Sequence, residues 1–253
     1  MSWLDPVRRS LDERPGPCRV FFRVDDAGQG DARLARMLDR FEAHALGVDV
    51  AVIPRLVRPA LARDLLGRAE GAGVRLHQHG LAHVDHETSG RKHEFGPSRG
   101  LADQLADITA GRRLMVDAFG DHVDPVFTPP WNRCTAVTGA ALLAADLRVL
   151  SRDHTAPPLS LPGLVEVPVT VDWFGHHRGE RWTPDQLAER IARGAAGGEP
   201  VGVMLHHAVT DDAELARVDE LLSLLAGHPR VRVTSIRELA GVTVEVGPAG
   251  GDR

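Results

Sequence analysis

The chain has 253 residues, 43% of them hydrophobic and 26% charged, which suits a globular protein with room for one large core, an α/β barrel included. Its formal net charge of -5 and pI near 6.2 argue against nucleic acid as a partner, and no apolar run is long enough to span a bilayer. Two cysteines, Cys18 and Cys134, form no disulfide framework or zinc knuckle; without an apolar export segment at the N-terminus, a reducing cytoplasm is the expected home.

Residues 1–17 read as a charged lead-in with a short helix, closed by Pro15-Gly16-Pro17. The β-branched and aromatic run 20–24 predicts a buried strand. It delivers two adjacent carboxylates, Asp25 and Asp26, to the strand end. Successive strand side chains point to opposite faces, so the pair can share a pocket only if the backbone turns there, and Gly28 permits such a turn. Two carboxylates in one pocket repel unless a cation lies between them, which makes a metal ion the economical explanation.

A helix follows over 31–45 with Leu34, Met37, Leu38, Phe41 and Ala45 on one face. Then come strand 48–53, helix 59–71 and strand 74–78. Residues 79–100 carry four His without clear periodicity and read as a long loop, a length that in compact domains tends to be functional. Helix 101–119 is expected to bury Leu101, Leu105, Ile108 and Leu114. Strand 125–128 runs into the stiff turn Pro129-Pro130-Trp131-Asn132, followed by helix 135–145 and strand 147–150. After a Pro-rich connection, 165–171 alternates like a strand and ends at Asp172-Trp173. Helix 184–196 starts behind Thr183-Pro184, a good cap and first-turn pair. Strand 201–205 ends in His206-His207, and helix 212–226, strand 231–234 and helix 235–240 complete the series. Seven or eight short strands alternating with helices indicate a parallel sheet. The polar residues collect where strands end, which is where α/β barrels and open sheets carry their sites.

His79 and His83 stand at i and i+4, a spacing that in a helical turn puts both imidazoles on one side. With Asp26 as third ligand they make a His2Asp set with an open coordination position, as catalytic zinc requires. His77 shares the face of His79 but reads as a core residue, His207 as structural, and His86 and His93 as loop surface. The prolines at 129 and 130 lack N–H groups, so the amides of Trp131 and Asn132 are the available donors for an anionic oxygen. Asp172 near His206 would raise the imidazole pKa toward a general acid's value. Trp131, Trp173 and Trp182 are candidates for a sugar-stacking wall. Neither a phosphate-binding glycine loop nor a Gly-x-Ser-x-Gly elbow occurs.

Taken in order, Val24-Asp25-Asp26-Ala27-Gly28, His79-x-x-x-His83, Pro129-Pro130-Trp131, Asp172-Trp173 and Leu205-His206 resemble the polysaccharide deacetylase family, which includes chitin and peptidoglycan N-deacetylases. The resemblance spans roughly 19 to 235. It implies a distorted (β/α) barrel of about seven parallel strands over 19–240, behind a lead-in at 1–18 and before a flexible tail at 241–253. It further implies a divalent metal, usually zinc, on Asp26, His79 and His83, with Asp25 as catalytic base, the Trp131 amide as oxyanion donor and His206 as catalytic acid tuned by Asp172. Trp131, Asn132 and Trp173 would line the substrate. The family's Thr-Phe-Asp-Asp-Gly reads Arg23-Val24-Asp25-Asp26-Ala27 here, and its Arg before Pro-Pro is Thr128, leaving Arg23 or Arg133 to steady the base. The implied activity is metal-assisted removal of an acetyl group from an N-acetylated sugar or related amide. The alternatives are a metal-bearing glycan or small-molecule binder that has lost catalysis, and a hydrolase of a cyclic amide or ureide. The implied partner is a small molecule or glycan, with neither nucleic acid nor membrane; oligomeric state is not legible.

Overall fold

A computed structural model describes residues 2–71, 73–177 and 180–242; most of the tail expected at 241–253 lies outside the described residues. The chain opens with α1 (Asp5–Glu13), then alternates β1 (Cys18–Ala27), α2 (Asp31–Ala43), β2 (Val48–Val52), α3 (Pro59–Gly71) and β3 (Val74–His79). After the long loop come α4 (Leu101–Phe119), β4 (Val123–Thr128), α5 (Ala136–Ala144) and β5 (Val149–Leu150). The short strands β6 (Val165–Glu166) and β7 (Val171–Asp172) follow, with an antiparallel pair, β8 (His176–His177) and β9 (Glu180–Arg181), outside the main sheet. The chain continues through α6 (Pro184–Ala196), β10 (Val201–His206), α7 (Asp212–Gly227), β11 (Val231–Val233) and α8 (Ile236–Leu239). No described helix is long and apolar enough to cross a membrane.

The main sheet is parallel throughout, in the order β6-β5-β4-β3-β2-β1-β10-β7, with β11 paired to the start of β1. Its two ends belong to one extended stretch of chain. The amides of Val165, Val167 and Val169 donate to Arg148, Leu150 and Arg152 on the β5 side, and that of Thr170 donates to Gly202 of β10. Residues 165–172 are thus a single stave, divided around Pro168, that joins β5 to β10 and completes a round of seven. The distorted barrel implied by the sequence motifs is the observed architecture.

Alternation along β1 sorts two cores. Phe21 points inward and packs with Val126, Val149, Val169 and Met204, with Ile236 of α8 in the same cluster. Phe22 and Val24 point outward and bury against helix residues such as Leu34, Phe41 and Leu221. Leu4, Val7 and Leu11 of the charged lead-in belong to this outer core. The same alternation aims Phe21, Arg23 and Asp25 into the barrel. The sequence expectation for α4 needs correcting: Leu101 and Leu114 are exposed, and Gln104, Ile108, Gly111, Met115 and Phe119 make the buried face. Gln104 is polar yet buried because it ties down the long loop, donating to the Gly96 and Arg99 carbonyls.

Candidate metal and hydrolytic site

The strand ends around β1 bring Asp26, His79 and His83 together. Their ligand atoms lie within 4.8 Å of one another, with Nε2 of His79 at 3.1 Å and Nε2 of His83 at 3.2 Å from Oδ1 of Asp26. Nδ1 of His79 donates to the Thr128 carbonyl at 3.0 Å. That bond fixes the ring and turns Nε2 toward the carboxylate, the arrangement by which an outer partner orients a metal-ligating histidine. Burial alone would raise the Asp26 pKa, but hydrogen bonds from His79 and His83 outweigh it and hold the carboxyl well below the usual range. An ionised carboxylate and two imidazole nitrogens converging from β1, the end of β3 and the segment after it fit a divalent cation of the zinc type.

Local backbone geometry makes this possible, and it differs from the sequence expectation. The turn that lets both aspartates face the mouth is at Asp26 itself (φ 68°), where the β1–β2 register shifts between Val24 and Ala27. His79 and His83 do not meet on a helical turn. The chain bends at Gly80 (φ 58°), and His83 is also left-handed (φ 58°). Trp131 and Asn132 share that conformation, at φ 57° and 58°. Four non-glycine residues in this costly region around one mouth mark a site held by its surroundings.

Beneath the mouth, Arg23 is fully buried and grips Asp25 through both oxygens, Nε to Oδ1 at 2.7 Å and Nη2 to Oδ2 at 2.8 Å. It also donates to Oγ of Ser151 at 2.9 Å and Oδ1 of Asn132 at 2.6 Å. Burial raises the pKa of Asp25, but Arg23, then His79 and His206, prevail and leave it below the ordinary value. Between the two arginines offered by the sequence, Arg23 is the one that holds Asp25; Arg133 instead donates to the Lys92 carbonyl. His206 lies opposite Asp25 in the parallel register of β1 and β10. Asp172 accepts from the Phe174 amide at 3.0 Å, and its pKa is raised by burial despite the neighbouring His206.

One member of the expected substrate wall needs revision. Trp173 is 2% exposed, packs edge-on against Trp3 and donates to Glu214 at 2.7 Å, so it belongs to the core. The Asn132 amide closes the turn on Pro129 at 3.0 Å, and its side chain holds Arg23, which leaves Trp131 as the amide of the pair for an incoming oxygen. The Trp131 ring stands against His83, with centroids 4.4 Å apart, and Trp182 lines the groove beside it. His77 is a core residue as expected, bonded to the Thr128 hydroxyl at 2.9 Å, with its pKa lowered by burial to about 3. His207 is likewise buried.

Sequence reading missed Glu94. This buried carboxylate accepts from the amides of Leu81 (3.1 Å) and Ala82 (2.7 Å) and so fixes the bend that presents His83. Only its place within the long polar loop hinted at such a role.

No protein-family model matches the chain, and a sequence search of curated proteins finds no match. Solved structures do resemble it. A Mycobacterium smegmatis protein assigned as a polysaccharide deacetylase superposes with a TM-score of 0.69 at 16% identity, covering 90% of this chain and 91% of that one. A family 4 acetyl xylan esterase from Clostridium thermocellum, solved with a cobalt ion, gives 0.59 at 15% identity over 89% and 93%. A family 4 pseudoenzyme from Bacillus anthracis gives 0.57 at 17% identity over 87% and 65%. The fold of this chain is that of the polysaccharide deacetylases and family 4 carbohydrate esterases.

Proposed function

We propose that this protein is a metal-dependent amide hydrolase that removes an acetyl group from an N-acetylated sugar or a related amide. The observation that carries the reading is the convergence of Asp26, His79 and His83 within 4.8 Å, directly beside an ionised Asp25 locked by Arg23. A divalent cation held by those three residues would supply Lewis acidity, easing deprotonation of water and polarising the amide carbonyl. Asp25 accepts the proton of the attacking water. Its bidentate partner keeps it ionised and aimed, and each carboxylate oxygen retains a lone pair for the proton. The Trp131 amide donates to the oxygen that becomes negative as the carbonyl carbon turns tetrahedral, a contact worth about 3 kcal/mol in comparable sites. His206 gives a proton to the departing nitrogen, so that the C–N bond breaks rather than the new C–O bond.

A second reading, a glycan or small-molecule binder without catalysis, draws on the family 4 pseudoenzyme among the similar structures and on Thr128 in the place of the family's arginine. Arg23 answers the second point by holding Asp25. Zinc-loaded protein incubated with a panel of N-acetylated sugars is expected to release acetate. Binding across the panel without acetate would establish the binder instead.

A further inference from the structure

Next to the Trp131 turn lies a groove of about 630 Å³ whose walls carry Arg91, Arg133, Arg152 and Arg190. In a chain of net charge -5, this concentration of cations is unexpected. Arg152 is accounted for by Glu166, at 2.9 and 3.1 Å. Among the described residues, the other three have no carboxylate partner. Arg190 lies over the Trp182 ring, 3.7 Å from its centroid, and Arg91 is exposed at the rim.

Arg133 is the most telling. Its Nη1 donates to the Lys92 carbonyl at 3.1 Å, while its Nε is buried with no hydrogen-bond partner. Burial, then the repulsion of Arg91, lowers its pKa, and the attraction of Asp85, which makes no ion pair with it, offsets this only in part. The two acids of the lining do not relieve this. Asp153 is engaged with the amide and hydroxyl of Thr155, and Asp172 with the Phe174 amide. A partly buried guanidinium lacking an anion is costly, and it is the group best shaped for a planar carboxylate or a phosphate. Trp131 and Asn132 also line this groove, and the Asn132 side chain grips Arg23 of the hydrolytic site, so the groove adjoins that site.

We infer that this groove selects a substrate carrying an anionic group, a carboxylate or a phosphate, held by Arg133 with Arg91 and Arg190 around it. The identity of the attached amide rests on the hydrolase reading; anion binding by the groove does not.

The test uses calorimetry on the zinc-loaded protein with N-acetylglucosamine 6-phosphate, N-acetylmuramic acid and neutral N-acetylglucosamine, together with acetate release from each. An anionic sugar should bind at least about 10-fold tighter than the neutral one, an advantage that added salt erodes. Whichever of the phosphate and carboxylate ligands binds tighter identifies the anion. Arg133→Met should reduce the anionic-to-neutral preference about 10-fold, and Arg91→Gln, at an exposed position, should reduce it less without threatening the fold. Equal binding of neutral and anionic sugars, no binding of any of them, or a preference that survives both substitutions would overturn the inference. Arginine-dependent anion binding without acetate from any sugar would retain the inference and remove the hydrolase reading. Acetate released equally from neutral and anionic sugars, without dependence on either arginine, would do the reverse.

Discussion

The guanidinium of Arg23 reaches Asp25 through two nitrogens, and Ser151 and Asn132 besides. A lysine has the charge but not the planar fork, so it cannot hold both carboxylate oxygens and the two side partners at once. Arg23→Lys is therefore expected to lower kcat by roughly 10- to 100-fold while the protein keeps its metal, because Asp26, His79 and His83 are untouched. Unchanged kcat in the lysine variant would remove Arg23 from the mechanism. Asp25→Asn and His206→Ala should each cut turnover by about 100-fold or more with metal retained. Near-full activity in either would mean the roles are misassigned.

At the scale of elements, the bend after β3 governs whether His83 can join His79. Gly80 has φ 58°, and a Cβ there would lie 2.0 Å from a Glu94 carboxylate oxygen and 2.7 Å from the Pro130 ring. Gly80→Ala should push Glu94 off the Leu81 and Ala82 amides and displace His83, weakening zinc binding by at least about 10-fold in a competitive chelator titration. Wild-type affinity in that variant would show that the bend does not position the ligand. Much at this level was legible in the sequence: β1 and β10 each carry an apolar run, Val20-Phe21-Phe22 and residues 201–205, and the polar residues at the ends of those strands, Asp25, Asp26 and His206, stand at the mouth. Three features were not. The left-handed turn at Asp26 is fixed by its surroundings, whereas the only local cue, Gly28, pointed two residues further on. The buried face of α4 carries Gln104 and Gly111 because the loop and the Gln78 side chain need them, a tertiary demand that apolar periodicity does not register. Trp173 reads the same in a sequence whether it faces a glycan or, as here, Trp3 and Glu214 across the fold.

Across the whole molecule, the barrel separates the charged mouth from buried acid at its other end. Asp49 of β2 is 1% exposed and accepts from the Ile236 amide of α8 at 3.0 Å. Burial raises its pKa well above the ordinary value, against the opposing pull of that hydrogen bond. The folded chain therefore keeps a proton that the unfolded chain releases above about pH 3.9. With more protons bound in the native state, the contribution of Asp49 to stability declines as pH rises from that value toward its folded pKa. Asp49→Asn removes this dependence while keeping an oxygen for Ile236, so urea midpoints should fall less between pH 4 and 7 than in the wild type. A steeper decline in the variant would contradict the assignment.

The central claim is that one divalent ion sits among Asp26, His79 and His83, and X-ray absorption on protein dialysed against zinc tests it most directly. The account predicts one zinc per chain, with two imidazole nitrogens and carboxylate oxygen at about 2.0–2.2 Å, and loss of that signal in both His79→Ala and His83→Ala. Substoichiometric zinc, or an unchanged absorption spectrum in the two alanine variants, would contradict it.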